Sequence, residues 1–164
     1  GTYTILAAGK VGEQGKLVAI EPEIKNYKRL LKNIELNKFK NIISKNIALS
    51  DHNGIEKLYI LPYSYGHSLV SRGDRDKYIK VPVKTLDSLL EELNIENIDI
   101  IKIDTEGAEI PILKGAKKIF KNNPNIKIVI AAEHYPSQPK EVCEFLNSID
   151  LKAKIYYKNF VTTA

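Results

Sequence analysis

The chain has 164 residues, no methionine and one cysteine. Without a methionine it cannot start at its own initiator, so further chain is expected upstream of Gly1. The lone thiol, Cys143, excludes an internal disulfide and a zinc site built from cysteines. It lies beside Val142, Phe145 and Leu146 on what reads as the apolar face of a helix, where a packed, inert thiol is expected. No apolar run approaches the roughly 18–20 residues that span a bilayer. The first residues lack the basic start and long apolar stretch of a secretory signal, so the default compartment is the cytoplasm. Repeats and low-complexity tracts are also missing, and the length suits one domain with an ordinary core.

Charge is present but unevenly signed. The formal balance is +5, mostly from lysine. The cations cluster in helical stretches, as with Lys25, Lys28, Arg29 and Lys32, and again with Lys114, Lys117, Lys118 and Lys121. Such patches attract nucleic acid or phosphorylated ligands. The aromatic residues among them, Tyr27 and Phe120, fall on the apolar faces of their helices rather than among the cations, so a solvated helix face is the simpler account.

Strand-like and helix-like segments alternate. A helix is expected over 2–8. Leu17-Val18-Ala19-Ile20 is a continuous apolar run ending at Glu21-Pro22, which suits a parallel strand covered on both faces. Tyr27, Leu30, Leu31 and Ile34 share one face of a helix over 23–37. A second strand is expected over 41–49, then turn chemistry at Asp51-His52-Asn53-Gly54 and a short strand over 55–61. Residues 62–78 read as a long loop, 79–84 as a strand, and 86–93 as a helix with Thr85 as its N-cap. The strongest buried-strand signal is 98–103. A helix over 108–120 follows, with Pro111 tolerable in its first turn. A buried strand over 126–132, a helix over 139–149, and a closing antiparallel pair over 151–157 and 160–163 complete the order. The alternation argues for a three-layer α/β sheet. Ligands of such sheets bind beyond the carboxyl ends of the strands, so the residues just after each strand carry the functional information.

Glu21 stands at the first such end, twenty positions after Gly1. A carboxylate at that spacing from a glycine turn can accept two hydrogen bonds from a ribose diol. The second strand ends near Asn46-Ile47-Ala48-Leu49-Ser50-Asp51, small and polar enough for a flat ring to lie against the backbone. The strand over 98–103 ends in Asp104-Thr105-Glu106-Gly107-Ala108-Glu109. Three acids so close repel one another without compensation. The positive end of the next helix partly accounts for Glu106 and Glu109 but less well for Asp104. The strand over 126–132 ends in Glu133-His134-Tyr135, where an acid and an imidazole offer a base with its partner, or half of a metal site.

With these residues in view the chain resembles the FkbM family of methyltransferases. The resemblance rests on G-T-Y-T at 1–4, I-E-P at 20–22, A-L-S-D at 48–51, T-L-D-S-L-L at 85–90, I-K-I-D-T-E-G-A-E at 101–109, L-K-G-A at 113–116 and E-H at 133–134. D-x-E-G-A-E followed by L-K-G-A is the most specific part. The resemblance implies an α/β, three-layer, Rossmann-like domain binding S-adenosyl-L-methionine. Its sheet would be mostly parallel with an antiparallel C-terminal hairpin, in a single domain over 1–164. The family's first strand and its D-x-G-A-N glycine loop would precede Gly1, and a chain without them is expected to hold cofactor poorly and to leave strand edges unpaired. By the same resemblance Gly1 closes the nucleotide loop, Glu21 binds the ribose, Ile47 and Ala48 border the adenine, and Asp104 and Glu106 lie near the methyl-transfer centre. Thr105 stands where the family more often has an apolar residue.

The reaction expected is O-methylation of a hydroxyl on a small molecule or sugar. The chain's task there is to orient the acceptor and manage one proton. Asp104 or His134 would act as base or orienter, with Glu106 alongside. A second version sets a divalent metal between Asp104, Glu133 and His134. The loop over 62–78 carries Tyr63, Tyr65, His67, Ser68, Arg72 and Arg75 and reads as a lid over the acceptor. Tyr65, His67, Ser68 and Glu133 are the candidate acceptor contacts. Two rivals stand beside this reading. One is a nucleic-acid methyltransferase, favoured by the basic balance but lacking an N-P-P-Y-type motif. The other is a non-catalytic binding domain on the same fold.

Overall fold

The computed structural model describes residues 1–61, 66–71 and 77–149. Tyr63, Tyr65, Arg72, Arg75 and the expected closing pair over 151–163 lie outside the described residues.

The chain opens with helix α1 (Thr2–Val11) and strand β1 (Leu17–Ile20). Helix α2 (Ile24–Leu36) starts where the Glu23 carboxylate accepts a hydrogen bond from Asn26 N at 2.7 Å, a side-chain N-cap. Strand β2 (Ile42–Lys45) then pairs in parallel with β1, Leu17 opposite Ile42. The single strand expected over 41–49 is in fact two. After β2 the Asn46 side-chain amide donates to the backbone oxygens of Glu21 and Pro22, at 2.8 and 3.0 Å. That fixes the chain against the end of β1 and turns it away. The remainder, β3 (Ala48–Leu49), pairs with β5 (Tyr78–Lys84) instead. On the other side of β5, β4 (Gly54–Tyr59) runs antiparallel to it.

Helix α3 (Leu86–Glu92) is capped by Thr85, whose hydroxyl accepts from Ser88 N at 3.0 Å. Strand β6 (Ile100–Ile103) and strand β7 (Lys127–Ile130) pair in parallel, Ile103 opposite Ile130. The helix expected over 108–120 is also two, α4 (Glu109–Lys114) and α5 (Lys117–Asn122). The break falls where Gly115 passes the backbone of Ser50 so closely that a Cβ would sit 2.3 Å from Ser50 O. Asp87 starts the second piece, its two carboxylate oxygens accepting from Lys118 N and Ile119 N at 2.9 Å each. Helix α6 (Gln138–Ser148) ends the described fold.

Among the described residues three of the four strand pairings are parallel, as a mostly parallel α/β fold requires, but the strands there form three separate ladders: β1–β2, β3–β5–β4 and β6–β7. The main core lies between the last ladder and helices α3 to α6, with Leu113, Phe120, Ile103 and Leu90 buried in it. A smaller core of Ala48, Leu58, Val81 and Val83 fills the middle ladder. Strands β6 and β7 correct the expectation of burial on both faces. Ile103 points into the core, while Ile100 and Val129 are 55% and 50% exposed. A continuous apolar run therefore marks one packed face here, not two. Among the described residues no helix is long and apolar enough to cross a membrane.

Candidate functional site

The carboxyl ends of β6 and β7 lie side by side, because the strands are parallel and paired in register to Ile103–Ile130. The turns beyond the two strands are therefore brought together. After β6 the backbone bends through Glu106 and Gly107, both with positive φ, 59° and 109°. A glutamate in that region is strained by about 1–3 kcal/mol, and such strain persists only where neighbours over-determine it. One neighbour is Ser68, buried, whose hydroxyl donates to Glu106 O at 2.7 Å and accepts from Val70 N at 3.0 Å.

His134, after β7, sits between two carboxylates. Its Nδ1 is 3.5 Å from Glu106 Oε2 and its Nε2 is 3.4 Å from Glu109 Oε1. The three side chains are graded in depth: 32% exposed for Glu106, 10% for His134 and 0% for Glu109. Glu109 Oε1 accepts from Thr105 N at 2.8 Å and from the Thr105 hydroxyl at 3.0 Å. Its Oε2 accepts from the amide of Gln138, which is also fully buried. The other end of that amide accepts from His134 N at 2.9 Å. The β7–α6 turn is pinned further by Glu141, which accepts from the Tyr135 and Ser137 hydroxyls at 2.9 and 2.7 Å. Burial, then the bond to Glu141, pushes the Tyr135 phenol up, and the Ser137 hydroxyl, then Tyr135, hold Glu141 down.

The other candidates fall in different places. Asp104 is outside this cluster: it is exposed and paired with Lys102 at 2.8 Å, and the Lys102 ammonium lies 4.2 Å from the centre of the Tyr3 ring on α1. Glu133 is exposed. His67 is half-buried, its Nδ1 accepting from Leu61 N at 3.1 Å. Among the described residues no three His, Cys, Asp or Glu side chains are grouped as a metal would need, and His134 faces Glu106 and Glu109 rather than Asp104 and Glu133.

Gly1 and Glu21 do meet. They line one cleft of about 240 Å³ with Thr2, Asn26, Arg29, Leu30 and Asn33. Glu21 Oε1 accepts from Glu23 N at 3.0 Å, and no other hydrogen bond reaches its carboxylate from a described residue. Burial pushes its pKa up, against the lowering pull of the Glu23 amide, while the Glu23 carboxylate adds to the rise. Ile47 and Ala48 are buried, Ala48 in the smaller core, and neither lines this cleft.

Sequence reasoning assigned Glu109 a helix-end role and passed over Gln138. The usable signal was E-H followed four residues later by glutamine at a helix start, a spacing that returns a side chain to the histidine backbone.

A mostly parallel α/β fold with an acid–imidazole cluster beyond paired strand ends, and a second acid beside a cleft, is the general form of a protein that binds ligands at the sheet's carboxyl edge. The family model of the methyltransferase FkbM domain matches residues 1–153, and the chain belongs to that family of methyltransferases. The fold is similar to the crystal structure of methyltransferase FkbM from Methylobacillus flagellatus KT, with a TM-score of 0.63 at 19% identity. The match covers 89% of this chain and 35% of that one, so this chain spans about a third of the neighbour's length. A search of curated proteins gives no match.

Proposed function

We propose that this domain transfers a methyl group from S-adenosyl-L-methionine to a hydroxyl of a small molecule or sugar. The observation that carries the reading is the cluster of Glu106, His134 and Glu109 beyond the paired ends of β6 and β7. The cofactor, when bound, supplies an electrophilic methyl group. The residues near Glu21 suit part of it. A half-buried carboxylate with one oxygen held by the Glu23 amide and the other unbonded among the described residues fits a diol. The cleft it lines, about 240 Å³, is below the roughly 300–1,000 Å³ of a pocket for a whole drug-sized ligand, so it suits the ribose portion. Gly1 would lie beside it, and Ile47 and Ala48 would border the adenine.

Glu106 is the outermost member of the cluster and takes the hydroxyl proton in this reading. His134, whose Nδ1 faces it at 3.5 Å, takes that proton on from the carboxylate. Asp104 is exposed at the end of β6 and linked through Lys102 to α1; in this reading it would face the cofactor rather than take the proton. His67, Ser68, Tyr65 and Glu133 are the proposed acceptor contacts; for Ser68 the contribution is through the Glu106 turn it holds. Calorimetric titration of S-adenosylmethionine into the protein tests the reading. Saturable binding that weakens about tenfold or more in Glu21→Ala supports it, the two ribose hydrogen bonds to a charged group being worth about 1.5–3 kcal/mol each. Equal binding by both proteins refutes it.

One observation favours a second reading, a nucleic-acid acceptor. On the open face of β4–β5, Lys57 lies 4.4 Å from the centre of the Tyr78 ring, which packs edge-on against Tyr59. On the helices the aromatics near the lysines are turned inward, Phe120 buried and the Tyr27 hydroxyl bonded to Ser44 O, whereas here the pairing lies on an open face. It predicts RNA or DNA affinity that falls steeply with salt.

A further inference from the structure

Glu109 brings a carboxylate into a place with no solvent, and its position at a helix start does not require that: an exposed acid in the same turn would serve the helix equally well. What its burial does provide is contact with His134. The hydrogen bonds around it have one consistent arrangement. Thr105 N and the Thr105 hydroxyl donate to Oε1, Gln138 Nε2 donates to Oε2, and Gln138 Oε1 accepts from His134 N. A carboxylate only accepts and a backbone N–H only donates, so the Gln138 amide between them has a single satisfactory orientation. His134 Nε2 is buried without a hydrogen-bond partner, and Glu109 Oε1 faces it from 3.4 Å.

We propose that Glu109 and Gln138 are a positioning pair for His134, and that the site needs the negative charge of Glu109 as well as its shape. Gln138 fixes the His134 backbone. Glu109 fixes the ring, holding a hydrogen on Nε2 and leaving Nδ1 turned to Glu106. In transfer the acceptor O–H bond breaks, Glu106 receives the proton and passes it to Nδ1, and an Nδ1–H bond forms. The imidazolium so made lies against the Glu109 carboxylate. This rests on the reading of Glu106 as the proton acceptor.

Exchanging the two residues tests it. Glu109→Gln alone leaves two amides meeting with a donor misplaced and lowers both thermal stability and kcat. The double exchange, Glu109→Gln with Gln138→Glu, satisfies the same four hydrogen bonds again. The carboxylate introduced at position 138 would accept from His134 N and from the amide introduced at position 109, whose oxygen accepts from Thr105. Only the charge moves away from Nε2. The expected result is a melting temperature restored toward that of the parent, with kcat still down roughly tenfold or more and KM for acceptor unchanged. Recovery of kcat together with stability would show that shape alone matters and overturns the proposal. Nitrogen-15 spectra of the unaltered protein decide the point even if the variants do not fold. A hydrogen on His134 Nε2 with Nδ1 bare is expected; a hydrogen on Nδ1, alone or together with one on Nε2, overturns it. If the unaltered protein transfers no methyl group under any condition, the proposed function fails, and those spectra still report whether Glu109 sets the ring.

Discussion

His134 Nδ1 lies 3.5 Å from Glu106 Oε2, so the turns after two neighbouring parallel strands meet in one acid–imidazole pair. If the pair handles the acceptor proton, removing the imidazole removes a general-base contribution of about 10²–10⁴-fold. His134→Ala is expected to lower kcat within that range with KM for the cofactor little changed. Steady-state kinetics at saturating cofactor measure it; a variant within about twofold of the parent would count against the pair.

If Glu21 holds the ribose, it ties cofactor binding to pH. Its carboxyl is raised from the ordinary 4.5 chiefly by burial. A raised folded-state pKa gives the empty protein a stability contribution that is present below the unfolded value and lost as pH rises through the folded one. Ribose binding runs the other way, since the diol needs the ionised carboxylate. Cofactor affinity is therefore expected to fall as pH drops, beginning at a higher pH than an exposed glutamate would give. Calorimetry across that range checks it, and Glu21→Gln should flatten the dependence.

Much of this was legible in the residues, and the failures share causes. Strand ends were readable because apolar runs stop abruptly at Glu21, Asp104 and Glu133. The splitting of 41–49 was not, because the Asn46 amide that turns the chain bonds to Glu21 and Pro22, about two dozen residues away. Nor was the break at Gly115, which depends on how near Ser50 comes. At the site, the acid-rich turn after β6 was evident, but its division of labour was not. Glu106 and Glu109 differ by burial, 32% against 0% exposed, and burial follows from packing against Gln138 on a helix far along the chain. Asp104 read as the strongest of the three acids, while in the fold it faces outward to Lys102.

Gly115→Ala tests the close approach. A Cβ would sit 2.3 Å from a backbone oxygen, so the α4–α5 turn or the backbone at Ser50 must move. Overpacking of this kind costs about 1–3 kcal/mol. A melting temperature lowered by several degrees is expected; an unchanged one would mean the two backbones are freer to part than the geometry implies.

Asp87→Ala tests the join between α3 and α5. The carboxylate accepts from Lys118 N and Ile119 N, and losing such a cap costs about 0.5–2 kcal/mol. Chemical denaturation should show a lower midpoint with an unchanged slope. Asp87→Asn, which keeps one acceptor, should fall between the two.

The central claim is that Glu106 receives the acceptor proton. Its most direct measurement is single-turnover methyl transfer from labelled S-adenosylmethionine by Glu106→Gln, a change that keeps size and removes the base. The account predicts a rate lower by about 10²–10⁴-fold with cofactor affinity unchanged. Transfer at the parent rate would contradict it.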